Sequence, residues 1–370
     1  MKQIRFTNSQ VTRKRRHIGN VILAWLMVLV IVVIVLVLGV KIFIALGYNR
    51  LRNSPVSTMP VFVEEDTGTE EPLPTTWQEG WVRYNGKVYE YNEDILTFLV
   101  MGIDKLDKVE KNPDLVSGGQ ADALFLVVAD SDTKKISLVG VNRDTMVDII
   151  MVGLGENGGD LITTAEIAVQ HGFGDGLEQS CELTRDAVSK LFYDLPIHGY
   201  VSFNMGGLAD LSDAIGGVEL TVLEDLSKVN KQWVEGAEVV LQGKDTYDYV
   251  HYRDITKFES ARGRLARQKQ FLSIFAKTAL GKVKEDITFP IQLYQSFKPY
   301  IVTDFSIDEI SWIASELVKY QFDGEDIYTL EGTTKMGEQF EEFYPDKEAL
   351  KGLMIELFYR EVDVEPQAED

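Results

Sequence analysis

The chain has 370 residues, room for one large domain or two ordinary ones, and its 58 acidic residues outnumber 37 basic ones for a net charge of −21. So acidic a protein repels a phosphodiester backbone, which argues against nucleic acid as a partner unless a compact basic patch overrides the background. A single cysteine, Cys181, excludes an intrachain disulfide, and four histidines without a CxxC or HExxH motif give zinc no ligand set.

Residues 1–20 form a basic tail carrying Lys2, Arg5, Arg13, Lys14, Arg15 and Arg16, and the first acidic residue is Glu64. Val21–Val40 follows, uncharged throughout, and at about 1.5 Å per residue it matches the ~30 Å hydrocarbon core of a bilayer. The positive flank puts the N-terminus in the cytoplasm and the rest outside, with a single-pass anchor over 21–44 and contacts to membrane lipid. A cleaved signal peptide would be shorter and end at small residues, whereas Lys41-Ile42-Phe43 follows here. The chain beyond residue 52 carries a net charge of −30.

Residues 45–92 read as an extracellular stem, with Pro55, Pro60, Pro72 and Pro74 among acidic and threonine residues. Trp77, Trp81 and Tyr84 begin to pack near its end, and Val88-Tyr89 suits a short edge strand. The globular domain is expected over 93–360. Ile95–Ile103, Ala123–Ala129 and Lys135–Val141 read as buried strands, with Asp130-Ser131-Asp132-Thr133 as a hairpin turn between the last two. Helical spacing marks Leu177–Phe192, Met205–Ile215, Gly243–His251, Arg262–Leu280, Ile307–Tyr320 and Lys347–Tyr359. Short strands fall at Tyr200–Phe203 and Val218–Val222, and residues 361–370 read as an acidic disordered tail. Strands alternating with helices give an α/β fold, and the hairpin makes its sheet mixed.

Two clusters carry chemistry. Asp104 follows the first strand, Asp122 opens the second and Arg143 closes the third. Asp122 and Arg143 are equidistant from the hairpin turn, so they share a rim. Two carboxylates and an arginine there suit Mg²⁺ with an anionic substrate, although an ordinary surface ion pair fits them too. In the second cluster, Tyr252-Arg253-Asp254 precedes Arg262-Gly263-Arg264-Leu265-Ala266-Arg267-Gln268. Arg264 and Gln268 lie four apart on one helical face, with Leu265, Leu272 and Phe275 pressing the helix into the core. Guanidinium forks match phosphate oxygens, and a solvated face paired with Asp254 and Glu259 matches the spacing equally well. His171, His198, Trp233 and Tyr247 read as structural residues, the last two also as candidates to line a lipid channel. The glycines of QHGFGDG (170–176) lack the strand and lysine of a phosphate loop and read as a turn.

Taken together, GID at 102–104, QAD at 120–122, NRDT at 142–145, IGGV at 215–218, LQGKDTYDYVHYRD at 241–254 and RLARQ at 264–268 resemble, in order, the motifs of LytR-CpsA-Psr proteins. The resemblance implies a three-layer α/β/α sandwich around a mixed sheet, with an apolar polyprenyl tunnel. It implies transfer of a glycopolymer, such as teichoic acid or capsule, from a polyprenyl-pyrophosphate carrier to a peptidoglycan hydroxyl through a phosphodiester. It assigns Asp104 and Asp122 to Mg²⁺ (or Mn²⁺), and Arg143, Arg253, Arg264 and Gln268 to the pyrophosphate, with Arg267 beside them. Arg143, Arg264 and Asp122 are the expected catalytic set. The chain departs from the family pattern where Gly118-Gly119-Gln120-Ala121 replaces an arginine before Asp122, where His251 replaces an arginine, and at Ala261. Backbone N–H groups of the Gly-Gly turn offer phosphate a substitute. A phosphatase using water as acceptor and a non-catalytic envelope regulator or scaffold remain alternatives.

Overall fold

A computed structural model describes residues 44–54, 59–60, 77–112, 114–254 and 256–363. The basic tail, the run Val21–Val40 and residues 364–370 lie outside them. Among the described residues no helix is long and apolar enough to cross a membrane.

Helix α1 spans residues 44–52, and strands β1 (Trp81–Tyr84) and β2 (Lys87–Tyr91) form a hairpin. The central sheet then begins with β3 (Ile95–Ile103), β4 (Ala121–Asp130) and β5 (Lys135–Val141), three of the runs read from sequence. They pair antiparallel in that order, so the turn between β4 and β5 sets the register and leaves Leu124 opposite Val141. A second hairpin, β6 (Met146–Met151) and β7 (Leu161–Glu166), stands off the sheet and leads through a 3₁₀ turn into α2 (Glu178–Leu191). β8 (Gly199–Asn204) returns parallel to β3, and α3 (Leu208–Ile215) follows.

A small satellite sheet comes next, formed by β9 (Val218–Thr221) and β10 (Glu238–Leu241). Then come α4 (Lys244–His251), the long α5 (Ser260–Glu285) and α6 (Phe289–Phe297). β11 (Ile301–Thr303) closes one edge of the central sheet against β8. Helix α7 (Ile307–Leu317) starts with a reciprocal Ser306–Glu309 capping box. β12 (Gln321–Thr329) closes the other edge parallel to β5. The hairpin β13 (Gly332–Met336) and β14 (Glu341–Pro345) precedes α8 (Lys347–Phe358), capped by Asp346, and β15 (Tyr359–Val362) pairs with β2. The central order is β11-β8-β3-β4-β5-β12, a mixed sheet as the hairpin required.

Strand alternation gives the sheet two different faces. Leu99, Ile103, Leu124, Leu126 and Val128 join Cys181 and Val188 of α2 and Met354 and Phe358 of α8 in one buried core. On the other face, Val100, Gly102, Ala123 and Phe125 look into a cavity of about 360 Å³ roofed by α3, α5, α6 and α7. A second core, holding Val218, Leu241, Trp233, Tyr249 and Phe271, ties the satellite sheet to α4 and α5.

Two expectations need correction. The predicted stem over 45–92 is folded at both ends, since residues 44–52 are helical and β1 and β2 occupy 81–91. Val88 is buried there because β15 adds a third strand. That same pairing draws Glu361 and Val362 out of the predicted disordered tail. Trp233 packs edge-on against Tyr249 in the second core, the structural role read for it from sequence, and does not line the cavity.

Candidate active site

The C-terminal ends of β3 and β5 and the start of β4 form one rim. The register that pairs Leu124 with Val141 continues outward to Asp122 and Arg143, and their side chains form an ion pair. Gln120, two residues earlier, joins everything at this corner. Its carbonyl accepts from the backbone N–H of both Asp104 and Asp122 at 3.0 Å, and its own N–H donates to Asp104 Oδ1 at 2.7 Å. Its side-chain oxygen accepts from Arg143. Asp104 is exposed, whereas Asp122 is buried.

Helix α5 brings the second cluster to this rim. Arg264 Nη1 lies 2.8 Å from Asp122 Oδ2, and Gln268, one turn on, points its Nε2 at the Asp122 and Val250 carbonyls at 3.4 and 3.3 Å. Asp122 is thus held by one guanidinium on each oxygen. Arg253, in the connection after α4, lies 3.0 Å from Glu341 Oε2 and 3.5 Å from Asp144 Oδ2, and donates to Ser260 Oγ at 2.9 Å. Arg143 Nε approaches Asp144 Oδ1 at 3.1 Å without hydrogen-bond geometry. Three arginines therefore face three buried carboxylates, Asp122, Asp144 and Glu341. Arg264 is only 4% exposed, yet among the described residues its Nη2 has no hydrogen-bond partner, and neither does Arg143 Nε. Leaving a buried charged donor unmet is costly, and an anion entering here removes the cost. Burial pulls the Arg264 pKa down while Asp122 holds it up.

Arg267 is placed differently. One position from Gln268, it turns away from the rim and donates to the carbonyls of Tyr249 and Tyr252 at the end of α4, with Glu224 3.1 Å from its Nε. Cations favour a helix C-terminus, and this one serves as the cap of α4. The expected pyrophosphate role of Arg267 is thereby corrected, because its guanidinium is committed elsewhere.

His251 lies 3.9 Å from Asp122 and stacks on Tyr247 at 4.7 Å. Burial lowers its pKa, Asp122 opposing and Arg264 assisting, so it is neutral near pH 7 and supplies no charge. Tyr247, raised by burial and then by Asp122, stays a phenol. The Gly-Gly turn does not offer the expected anion nest in full. Gly118 N–H is spent on the Gly172 carbonyl, and the ring of buried His171 holds both glycine carbonyls at 3.1 and 3.3 Å. A Cβ on Gly119, whose φ is +82°, would sit 2.9 Å from Asp104 Oδ1, so glycine is required beside the carboxylate.

The rim opens in two directions. Outward, a cleft of about 420 Å³ is lined by Gln120, Arg143, Asp144, Arg253 and the tip of the β13–β14 hairpin, including Phe340. Inward, Gln268 and Ala123, which follows Asp122, border the apolar cavity. Sequence reasoning missed Gln120 and Glu341. Gln120 was visible only as an absent arginine, and Glu341 lies 88 residues from Arg253 with no motif around it.

Among the described residues no group of three or more His, Cys, Asp or Glu side chains is placed to hold a metal. Asp104 and Asp122, linked through the Gln120 backbone, would supply at most two carboxylates to a metal. That is too sparse for a self-sufficient protein site but fits Mg²⁺, which is commonly held by one or two carboxylates with phosphate oxygens and water.

A family model described as the LytR_cpsA_psr family matches residues 65–357. The polyisoprenyl-teichoic acid–peptidoglycan teichoic acid transferase TagU of Enterococcus faecalis is 28% identical over 228 residues, covering 60% of this chain and 66% of that protein. TagU of Halalkalibacterium halodurans is 26% identical over 188 residues, 50% of this chain and 53% of that protein. The matches thus span between about half and just under two thirds of these relatives. In fold, the Streptococcus agalactiae protein gbs0355 aligns with a TM-score of 0.57 at 20% identity, over 71% of this chain and 86% of its own. Bacillus subtilis TagV aligns with a TM-score of 0.54 at 20% identity, over 72% and 96%.

Proposed function

The chain belongs to the LytR-CpsA-Psr family, and from that premise we propose that it transfers a glycopolymer from a polyprenyl-pyrophosphate carrier to a peptidoglycan hydroxyl. The transfer takes place outside the cytoplasm, from a single-pass anchor at Val21–Val40. One observation carries the proposal: a buried arginine cluster with unmet donors stands at the end of an apolar cavity, and Gln268 belongs to both. A molecule with an anionic head and an apolar tail satisfies both halves at once. Neither half alone needs the other.

In this reading Arg143, Arg253 and Arg264 grip the pyrophosphate, and Gln268 fixes the backbone of Asp122 where tail meets head. The acceptor hydroxyl enters through the outer cleft and attacks the sugar-bearing phosphorus in line. The new P–O bond completes a phosphodiester as the bond to the bridging oxygen breaks, and polyprenyl phosphate leaves with the electron pair. The hydroxyl proton passes to solvent or to the departing phosphate. Such transfers depend mostly on positioning and charge stabilisation. Asp104 and Asp122 would hold Mg²⁺ or Mn²⁺, which supplies positive charge to the pyrophosphate. The charge balance supports such a role, because the three arginines are already matched by three carboxylates.

The test uses full-length protein with a lipid-linked glycopolymer, with and without peptidoglycan fragments. Acceptor-dependent formation of a phosphodiester is expected. Phosphate release that ignores the acceptor would make the protein a hydrolase, and no turnover with either Mg²⁺ or Mn²⁺ would leave the regulator reading.

A further inference from the structure

We propose that α1 clamps the folded unit directly onto the bilayer, so that the far end of the apolar cavity opens to the lipid; this rests on reading Val21–Val40 as a span and on the transferase reading above. Residue 44 begins a described helix only four positions after Val40, within about 14 Å of it even for a fully extended chain. That helix is docked. Leu51 is fully buried, Tyr48 packs on Trp312 at 5.0 Å, and Arg50 lies 3.0 Å from Asp308. Gly47 lies so close to α7 that a Cβ there would sit 2.3 Å from the Asp308 carbonyl oxygen. Ser54 then donates to the His198 carbonyl at 2.6 Å, just before β8. The proline-rich stretch therefore lies after the attachment in sequence and cannot act as a spacer between span and domain.

The end to which α1 docks is the one opposite the rim. His198 and Gly199 open β8 beside Phe98, whereas Asp104 follows the other end of β3, about 20 Å along the strand at roughly 3.3 Å per residue. The cavity joins the two ends, since its lining runs from Gly102, Ala123 and Gln268 to Phe305 and Ile310. Ile310 sits two positions from Asp308 on α7, so a single helical turn touches both α1 and the cavity. Leu46 and Ile307, each adjacent in sequence to that contact, are about half exposed, and Arg50 and Arg52 lie on the same helix. Exposed aliphatic and basic side chains together suit a surface of apolar chains under anionic headgroups. The partner is the bilayer, and the prenyl tail threads from it towards the arginines.

The full chain is reconstituted into phosphatidylcholine–phosphatidylglycerol vesicles containing brominated lipid, with a thiol-reactive fluorophore on Ile307→Cys or, as control, Ile162→Cys beyond the rim. Cys181 is buried, with its thiol pushed up to about 12 by that burial, and stays unlabelled. Lipid quenching at 307 should exceed that at 162 about fivefold, as for a residue at the acyl boundary. Equal quenching overturns the proposal. Gly47→Leu should abolish the difference. It should also slow transfer from a vesicle-embedded donor about tenfold through lost effective concentration, while sparing a short-chain, water-soluble donor. An equal loss with both donors makes α1 merely structural and overturns the proposal. If Gly47→Leu does not fold, Arg50→Glu, which turns the Asp308 contact repulsive, is read in the same way. Wild type inactive with both donors defeats the transferase reading, and the quenching then judges the membrane orientation alone.

Discussion

The two faces of the central sheet are built from alternate residues of the same strands, yet they do different work. Leu124 and Leu126 of β4 face a core filled by α2 and α8, while Ala123 and Phe125, which alternate with them, face the cavity. Apolar side chains of the first face meet protein and hold the fold together, while those of the second line an open cavity. The same division runs along α5. Arg264 and Arg267 are both buried and lie three residues apart, but one has every nitrogen engaged by protein while the other keeps a donor unmet.

Substitutions can break this division in both directions. The largest effect should come from Arg267→Ala, which strips the end of α4 and strands Glu224. The Tyr249 and Tyr252 carbonyls lose their charged donor, at about 1–3 kcal/mol for each group left unmet, read as a lower denaturation midpoint. Arg264→Ala should lower turnover by roughly 10²–10³, about 2.7–4 kcal/mol, by analogy with loss of one oxyanion donor. Its midpoint should fall much less, because Arg143 still pairs with Asp122. If Arg264→Ala were inactive only because it unfolds, the contrast between the two arginines would disappear.

Acid should act on the filled side. Burial in the 3₁₀ turn beside α2 lowers the His171 pKa to about 4 from an ordinary 6.5. Above 6.5 the ring is neutral whether folded or unfolded. As the pH falls from 6.5 towards 4, the unfolded chain gains a proton that the folded one refuses, so stability is lost across that window. The loss is of order 3 kcal/mol, and denaturation at pH 7 and 4.5 should show a smaller difference for His171→Gln than for wild type. The smallest effect belongs to the open side. Ala123→Phe fills the cavity with little change in stability but should weaken binding of a prenyl donor about tenfold, ~1.4 kcal/mol.

Much of this division was legible in the sequence. Continuous apolar runs gave β3, β4 and β5, and symmetry about the Asp130–Thr133 turn put Asp122 and Arg143 on one rim. Helical spacing placed Arg264 and Gln268 on one face of α5. What spacing cannot give is the direction of a third residue on a helix that is buried nearly all round, and so Arg267 was assigned to the wrong neighbour. The strands β12 to β15 escaped because β12, QFDGEDIYT, and β13, GTTKM, carry polar residues where a buried strand would carry aliphatic ones. Glu341 was lost with them. The helix after Val40 was hidden because the prolines that follow it suggested an extended stem from residue 45 onward.

The most direct test of the account is a titration of the full-length protein, with Mg²⁺ present, against a prenyl pyrophosphate, the matching prenyl alcohol and inorganic pyrophosphate. Head and tail should cooperate. The prenyl pyrophosphate should bind at least about tenfold tighter than either part, given roughly 0.8 kcal/mol for each buried methylene, and Arg264→Ala and Ala123→Phe should each remove part of that advantage. Inorganic pyrophosphate binding as tightly as the prenyl compound, or neither substitution mattering, would contradict the claim that arginine cluster and cavity form one site.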